Sequence, residues 1–142
     1  MKSFAALYAR VDETTRTSLK VAALVDYFRT ASDDDKLWTI ALFTGRRPQR
    51  TITAGKLREW ASEIAQIEPW LFEESYSIAG DLAETISLVL PDPSQHQNQS
   101  LTHWITYIKS LSTLDDEGRK ASHLAAWDSQ PVMQRFMLSK LL

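Results

Sequence analysis

Residues 72–90, Phe72 to Leu90, read FEESYSIAGDLAETISLVL, and this stretch decides the fold. Phe72, Tyr76 and Ala79 recur at i, i+4 and i+7, which is one face of a helix. Leu82, Ile86, Val89 and Leu90 form a second apolar stripe at helical spacing. Gly80 and Asp81 stand between the stripes. Glycine puts a backbone without a Cβ at the junction, and aspartate is a natural N-cap for the second helix. The stretch therefore predicts two helices meeting at 80–81. A helix N-terminus that opens beside a glycine leaves free N–H groups that an anion can approach closely. The same Gly-Asp pair also serves as a plain corner between helices, and spacing does not separate the two uses.

Toward the N-terminus, Pro69 sits where a first helical position is expected. Before it, Thr53 is placed to cap a helix over Ala54–Ile67 whose inner face carries Leu57, Trp60, Ala61 and Ile64. The preceding loop, GRRPQRTITAGK at 45–56, holds Arg46, Arg47, Arg50 and Lys56 and no acid. Guanidinium forks grip phosphate oxygens bidentately, so a short loop of this kind suits a phosphate backbone. Gly45 ends a third helix that opens on Ser32 and the acidic turn Asp33–Asp35, favourable to the helix dipole. Leu37, Trp38, Ala41, Leu42 and Phe43 are expected on its inner face. Thr17–Ala31 reads as a strong helix with Leu19, Val21, Ala22, Leu24, Val25 and Phe28 apolar and Lys20 near its start. Thr14 or Thr15 can cap it. Ser3–Val11 supplies the first helix through Phe4, Leu7, Tyr8 and Val11.

Toward the C-terminus, Pro91–Gln99 is polar and aperiodic, an exposed and mobile loop. Ser100–Leu111 and Leu114–Trp127 come next as helices, the second with Asp115, Asp116 and Glu117 in its first turn. Ser129 is expected to cap a last helix, with Pro131 near its start and Val132, Phe136, Met137, Leu141 and Leu142 facing inward. That helix stops on Lys-Leu-Leu without a terminator, which suggests a piece of a longer chain. No convincing strand and no internal repeat are present. The expectation is an all-α single domain of about eight or nine helices, with its aromatic residues mostly buried.

The chain has 142 residues, enough for one real core. It contains no cysteine, which excludes disulfides, thiolate metal sites and a cysteine nucleophile. No apolar run is long enough to span a bilayer, and the N-terminus lacks a signal peptide, so the chain reads as cytosolic. The net charge of −2 conceals an asymmetry: residues 1–60 carry 11 Lys/Arg against 7 Asp/Glu, and residues 61–142 carry 5 against 11. A basic front half can face a polyanion while the acidic half faces water or a partner.

Catalytic signals are missing. No lysine stands in a Lys-x-Asp-Gly setting, and no P-loop occurs. His96, His103 and His123 lack the i, i+4 spacing of a metal pair and read as surface or satisfied helix residues. Glu73 and Glu74 are adjacent, so on a helix they point about 100° apart, poor geometry for a paired acid and base. No catalytic activity is expected of this chain alone.

Two segments carry a resemblance. Tyr76-x-x-x-Gly80-Asp81-Leu82-x-x-x-Ile86 resembles the most recognisable segment of the N-terminal DNA-binding domain of ATP-dependent DNA ligases. TRTSLKVAALVDYF, residues 15–28, is similar to the opening of the bacterial members. The resemblance covers essentially the whole chain, strongest at 14–28, 42–50 and 70–90. Thr17, Lys20, Gly80 and Asp81 match its motifs, and Arg46, Arg47 and Arg50 match the basic loop of the bacterial members; Lys56 joins them by charge and position. The resemblance implies a monomeric, cytoplasmic, nucleoid-associated domain that contacts phosphates on both sides of a nick in duplex DNA and helps the parent's adenylation domain and OB-fold domain encircle it. It implies ATP and Mg2+ for the parent ligase, no cofactor for this stretch, and the adenylation domain as a partner. Two other readings stay open. One is a helical protein–protein module whose acidic half docks a basic partner. The other is a small carboxylate hydrolase, which would need a convergent Asp/Glu pair.

Overall fold

Side-chain caps explain where five of the helices begin. In the computed structural model, which describes all of residues 1–142, Asp81 accepts from the backbone N–H of Glu84 at 3.0 Å. Thr53 does the same for Lys56 at 3.3 Å, Ser100 for His103 at 3.0 Å, Ser32 for Asp35 at 3.2 Å and Asp115 for Gly118 at 2.8 Å. Each satisfies a donor that the first turn of a helix would otherwise leave unpaired. The elements are α1 (Lys2–Asp12), α2 (Thr17–Thr30), α3 (Asp33–Phe43), α4 (Ala54–Ala65), α5 (Pro69–Ala79), α6 (Leu82–Val89), α7 (Leu101–Ser110), a 3-10 turn (Leu111–Thr113), α8 (Asp116–Asp128) and α9 (Val132–Leu141). Nine α-helices and no strand bear out the all-α reading, and no helix is long and apolar enough to cross a membrane.

The α6 helix lies at the centre. It buries Ala83, Thr85, Ile86 and Ser87, packs most extensively on α9, and also meets α4 and α5. The α1 helix lies between α2 and α9, and α3 packs on α7. The core runs through Phe4, Leu7, Trp60, Phe72, Ile86, Trp104, Ile105, Trp127 and Leu138. Several of its aromatic contacts are edge-on, as between Phe4 and Tyr27, whose centroids are 6.4 Å apart.

Several expected faces are corrected. In α3 the fully buried residue is Thr39, whose hydroxyl donates to Asp35 O at 2.7 Å and, its one proton so used, accepts from the Tyr27 hydroxyl at 3.1 Å. Leu37 faces outward and Phe43 is partly exposed although its ring lies 6.2 Å from that of Phe4, because α3 is apolar nearly all round its C-terminal half and only neighbouring helices decide which side is covered. In α2 Leu19, Val21 and Val25 are exposed, while Ala23 and Tyr27 are buried. Ile64 on α4 and Trp70 on α5 are also exposed. The N-cap of α2 is Arg16, not Thr14 or Thr15, although Thr14 Oγ1 accepts from the Arg16 amide at 3.1 Å. Ser129 does not cap α9; it is buried and donates back to Ala126 O at 2.9 Å, closing α8 instead. The 91–99 loop is tied down: the Gln97 amide donates to Ser129 O at 2.9 Å and the Ser94 amide to Asp128 Oδ1 at 2.9 Å. Arg135, only 2 % exposed, fastens the same corner by donating to Trp127 O and Pro91 O.

His123 is fully buried among Trp60, Tyr107 and Trp127, not at the surface. Its Nδ1 lies 3.1 Å from Tyr107 Oη. Burial pushes the imidazole down to about 3 and the phenol up to about 12, so both are neutral in the folded chain at pH 7.

Candidate nucleic-acid interface

The stretch after α3 turns sharply. Gly45 has φ +86°, and the amides of Gly45 and Arg46 donate to Leu42 O at 3.1 Å and Ala41 O at 2.8 Å. This is the left-handed helix ending that glycine permits. It sends residues 46–53 away from α3 as an irregular strand of chain that reaches α4. At the other side of the site, Gly80 ends α5 with φ +75°, and Asp81 opens α6. A Cβ at Gly80 would meet no neighbour within 4 Å, so the backbone angle, not crowding, calls for glycine there.

These two features face one depression of about 320 Å3. Arg47 and Arg50 line it from the loop, Gly80 and Asp81 from the α5–α6 corner, and Lys140 from the last turn of α9. Arg47 Nη1 donates to Lys140 O at 3.4 Å, and Arg50 Nε to Leu142 O at 3.1 Å. Both arginines thus satisfy carbonyls at the end of α9, where the helix dipole favours cations. Each spends one of its five donors in doing so, and the rest of each guanidinium is uncommitted. Arg46 is exposed, with no hydrogen bond or ion pair from its side chain.

Asp81 does two things. Its carboxylate caps α6 and pairs with Lys140 Nζ. Partial burial pushes that carboxyl up, but the hydrogen bond from Lys140 and those from the Glu84 and Ala83 amides outweigh it and hold the group below the usual carboxylate range. With three cations and one carboxylate, the depression is positive on balance.

Of the eight residues singled out by sequence, Arg47, Arg50, Gly80 and Asp81 come together here, and Arg46 adjoins them along the chain. Lys56 lies on α4 and pairs with Asp116 Oδ1 of α8 at 2.9 Å, so its charge is engaged elsewhere. Thr17 and Lys20 lie in the first turn of α2, which packs on α1; neither lines the depression. Lys140 was missed. Its signal was a lone cation in an apolar helix end, Leu138-Ser139-Lys140-Leu141-Leu142, but its partner Asp81 is 59 residues away in sequence.

Residues 1–125 match the model of a protein family described as DNA ligase N terminus. That span holds both the arginine loop and the Gly80–Asp81 corner and stops short of α9. No curated protein and no solved structure matches the chain.

Proposed function

Because the chain belongs to the DNA ligase N-terminus family, we propose that it binds nicked duplex DNA without sequence preference, through phosphates, and holds the nick for the catalytic domains of an ATP-dependent ligase. The observation that carries this reading is the convergence of Arg47 and Arg50 with the open Gly80–Asp81 corner on one positively charged depression. Arg46, next to Arg47 in the chain, supplies a further exposed guanidinium. Contacts of this type position a protein on the duplex but carry no base information, which accounts for sequence independence. Lys140 adds a further cation, and Asp81 restrains it by pairing. Thr17, Lys20 and Lys56 belong to the proposal only as outlying contacts of a long duplex.

The chemistry of sealing lies outside these residues. No lysine here has the Lys-x-Asp-Gly setting for carrying AMP, so ATP, Mg2+ and the adenylation domain belong to the parent ligase, acting in DNA replication, recombination or repair in the cytoplasm at the nucleoid.

The test is a gel shift of nicked against intact duplex at two salt concentrations. With three phosphate contacts the salt slope is about −2.7, so affinity falls about 40-fold between 50 and 200 mM salt. Arg46→Glu/Arg47→Glu should abolish binding and leave the helical circular dichroism unchanged. Undiminished affinity in that variant would show the loop assignment to be wrong.

A further inference from the structure

A second concavity, of about 550 Å3, lies on the other side of the Asp81–Lys140 pair. Its floor is α9, and its walls are α1 and α6. Tyr8 meets Phe136 edge-on with centroids 6.1 Å apart, while Phe4 lies by Met137 and Leu141. The α1 helix therefore runs antiparallel to α9 and brings Asp12 and Glu13 beside the start of α9. The α6 helix also runs antiparallel, since Asp81 at its start pairs with Lys140 near the end of α9. The result is a trough along α9 from Val132 to Lys140, about 12 Å at 1.5 Å per residue, walled by two helices that run against it.

Its chemistry is two-toned. Apolar side chains are left open to solvent inside it: Leu88 is 64 % exposed, Met133 50 % and Val132 43 %. The rims are acidic. Asp12, Glu13 and Glu84 line the trough and make no ion pair. The one cation present, Lys140, is committed to Asp81.

We propose that this trough docks a cationic amphipathic helix from a partner protein. A channel between two helices takes a third helix as a ridge in a groove, and its length matches a helix of two to three turns. Leucine-like anchors would cover Leu88, Val132, Met133 and Phe136, with the thioether of Met133 adapting to their shape. Lysines or arginines flanking the anchors would meet Asp12, Glu13 and Glu84. The same rims repel a phosphate backbone. They also disfavour a second copy of this chain, because a two-fold contact through the trough sets carboxylates against carboxylates. The other exposed apolar residues, such as Leu37 and Ile40 on α3, are not enclosed by a wall of charge, and nothing indicates what covers them.

The probe is a fluorescein-labelled 14-residue peptide of leucine and lysine patterned as an amphipathic helix, with a leucine–glutamate counterpart. Each is titrated into the 142-residue chain and read by anisotropy. The lysine peptide should bind and the glutamate peptide should not. Leu88→Glu/Met133→Glu should weaken binding at least tenfold; both positions are well exposed, so the fold is kept. Asp12→Asn/Glu13→Gln/Glu84→Gln should weaken it several-fold and flatten its salt dependence. Neither variant should change affinity for nicked duplex. Absence of lysine-peptide binding, equal binding of the glutamate peptide, or insensitivity to Leu88→Glu/Met133→Glu overturns the proposal. So does a dimer in the ultracentrifuge that Met133→Glu dissolves, which would assign the trough to a second copy. Loss of DNA binding by the unaltered chain would bear on the ligase reading and leave these outcomes as they stand.

Discussion

Two concavities share one wall, and they differ in what fills them. The depression below Arg47 and Arg50 brings cations from the 46–53 loop and the end of α9 together with the Gly80–Asp81 corner, beside apolar side chains of α4, α5 and α6. The trough along α9 is apolar at the floor and acidic at the rim, and its walls are regular helices. A charged ligand with no fixed side-chain pattern, such as a phosphate chain, suits irregular backbone that offers donors. A patterned ligand suits a groove with helical periodicity. The local architecture thus separates the two kinds of recognition more clearly than the net charge of −2 does.

That contrast can be broken in several ways. Arg46→Glu/Arg47→Glu carries the largest expected effect: at least about a hundredfold loss of affinity for nicked duplex at 50 mM salt, because two attractions become repulsions. Peptide binding in the trough should not change, and equal losses at both sites would mean that the two are one surface.

Acid comes next and should act on the whole fold. His123 is neutral and buried, with its pKa pushed down to about 3, whereas unfolding returns it to about 6.5. The unfolded chain therefore binds the extra proton, and stability is full above pH 6.5 and falls as pH drops toward 3. The expected loss is about 1.4 kcal/mol per pH unit in that window, measured by denaturant unfolding between pH 7 and 4.5. His123→Leu, neutral at every pH, should remove that slope. Asp81, held below its ordinary value, keeps its charge across most of this window, so a DNA affinity that changes at pH 5 in still-folded protein would implicate some other group.

Smaller effects probe the shared wall. Asp81→Ala removes the cap of α6 and should cost about 1 kcal/mol, while Asp81→Asn, which keeps an accepting oxygen, should cost only a few tenths. Asp81→Asn should also raise affinity for duplex slightly by releasing Lys140. Gly80→Ala forces a side chain into φ +75° and should cost about 1 kcal/mol in the same unfolding measurement.

The parts of the fold legible in sequence were those set by neighbours along the chain. Gly45, Thr53, Pro69 and Asp81 mark helix ends through interactions spanning three or four residues, and all four stand where the sequence put them. The convergence of Arg47 and Arg50 with Gly80 was anticipated only through the resemblance of two separate motifs to one family. Illegible were the features decided by distant partners. Thr39 is buried because Tyr27 and Asp35 satisfy its hydroxyl, and an apolar α3 gave no hint of that. His123 is enclosed by residues from α4 and α7 as well as its own helix. Lys56 looked like part of the basic loop until Asp116, 60 positions on, took its charge.

The Asp81–Lys140 pair has one more consequence. A phosphate that draws Lys140 away leaves Asp81 as a bare carboxylate at the head of the trough, where a cationic visitor gains from it. By thermodynamic reciprocity the visitor, in occupying Asp81, releases Lys140 toward DNA and raises duplex affinity by the same factor. A single ion pair would then act as a two-way coupler, so that holding a nick and recruiting a partner reinforce each other without any movement of the helices.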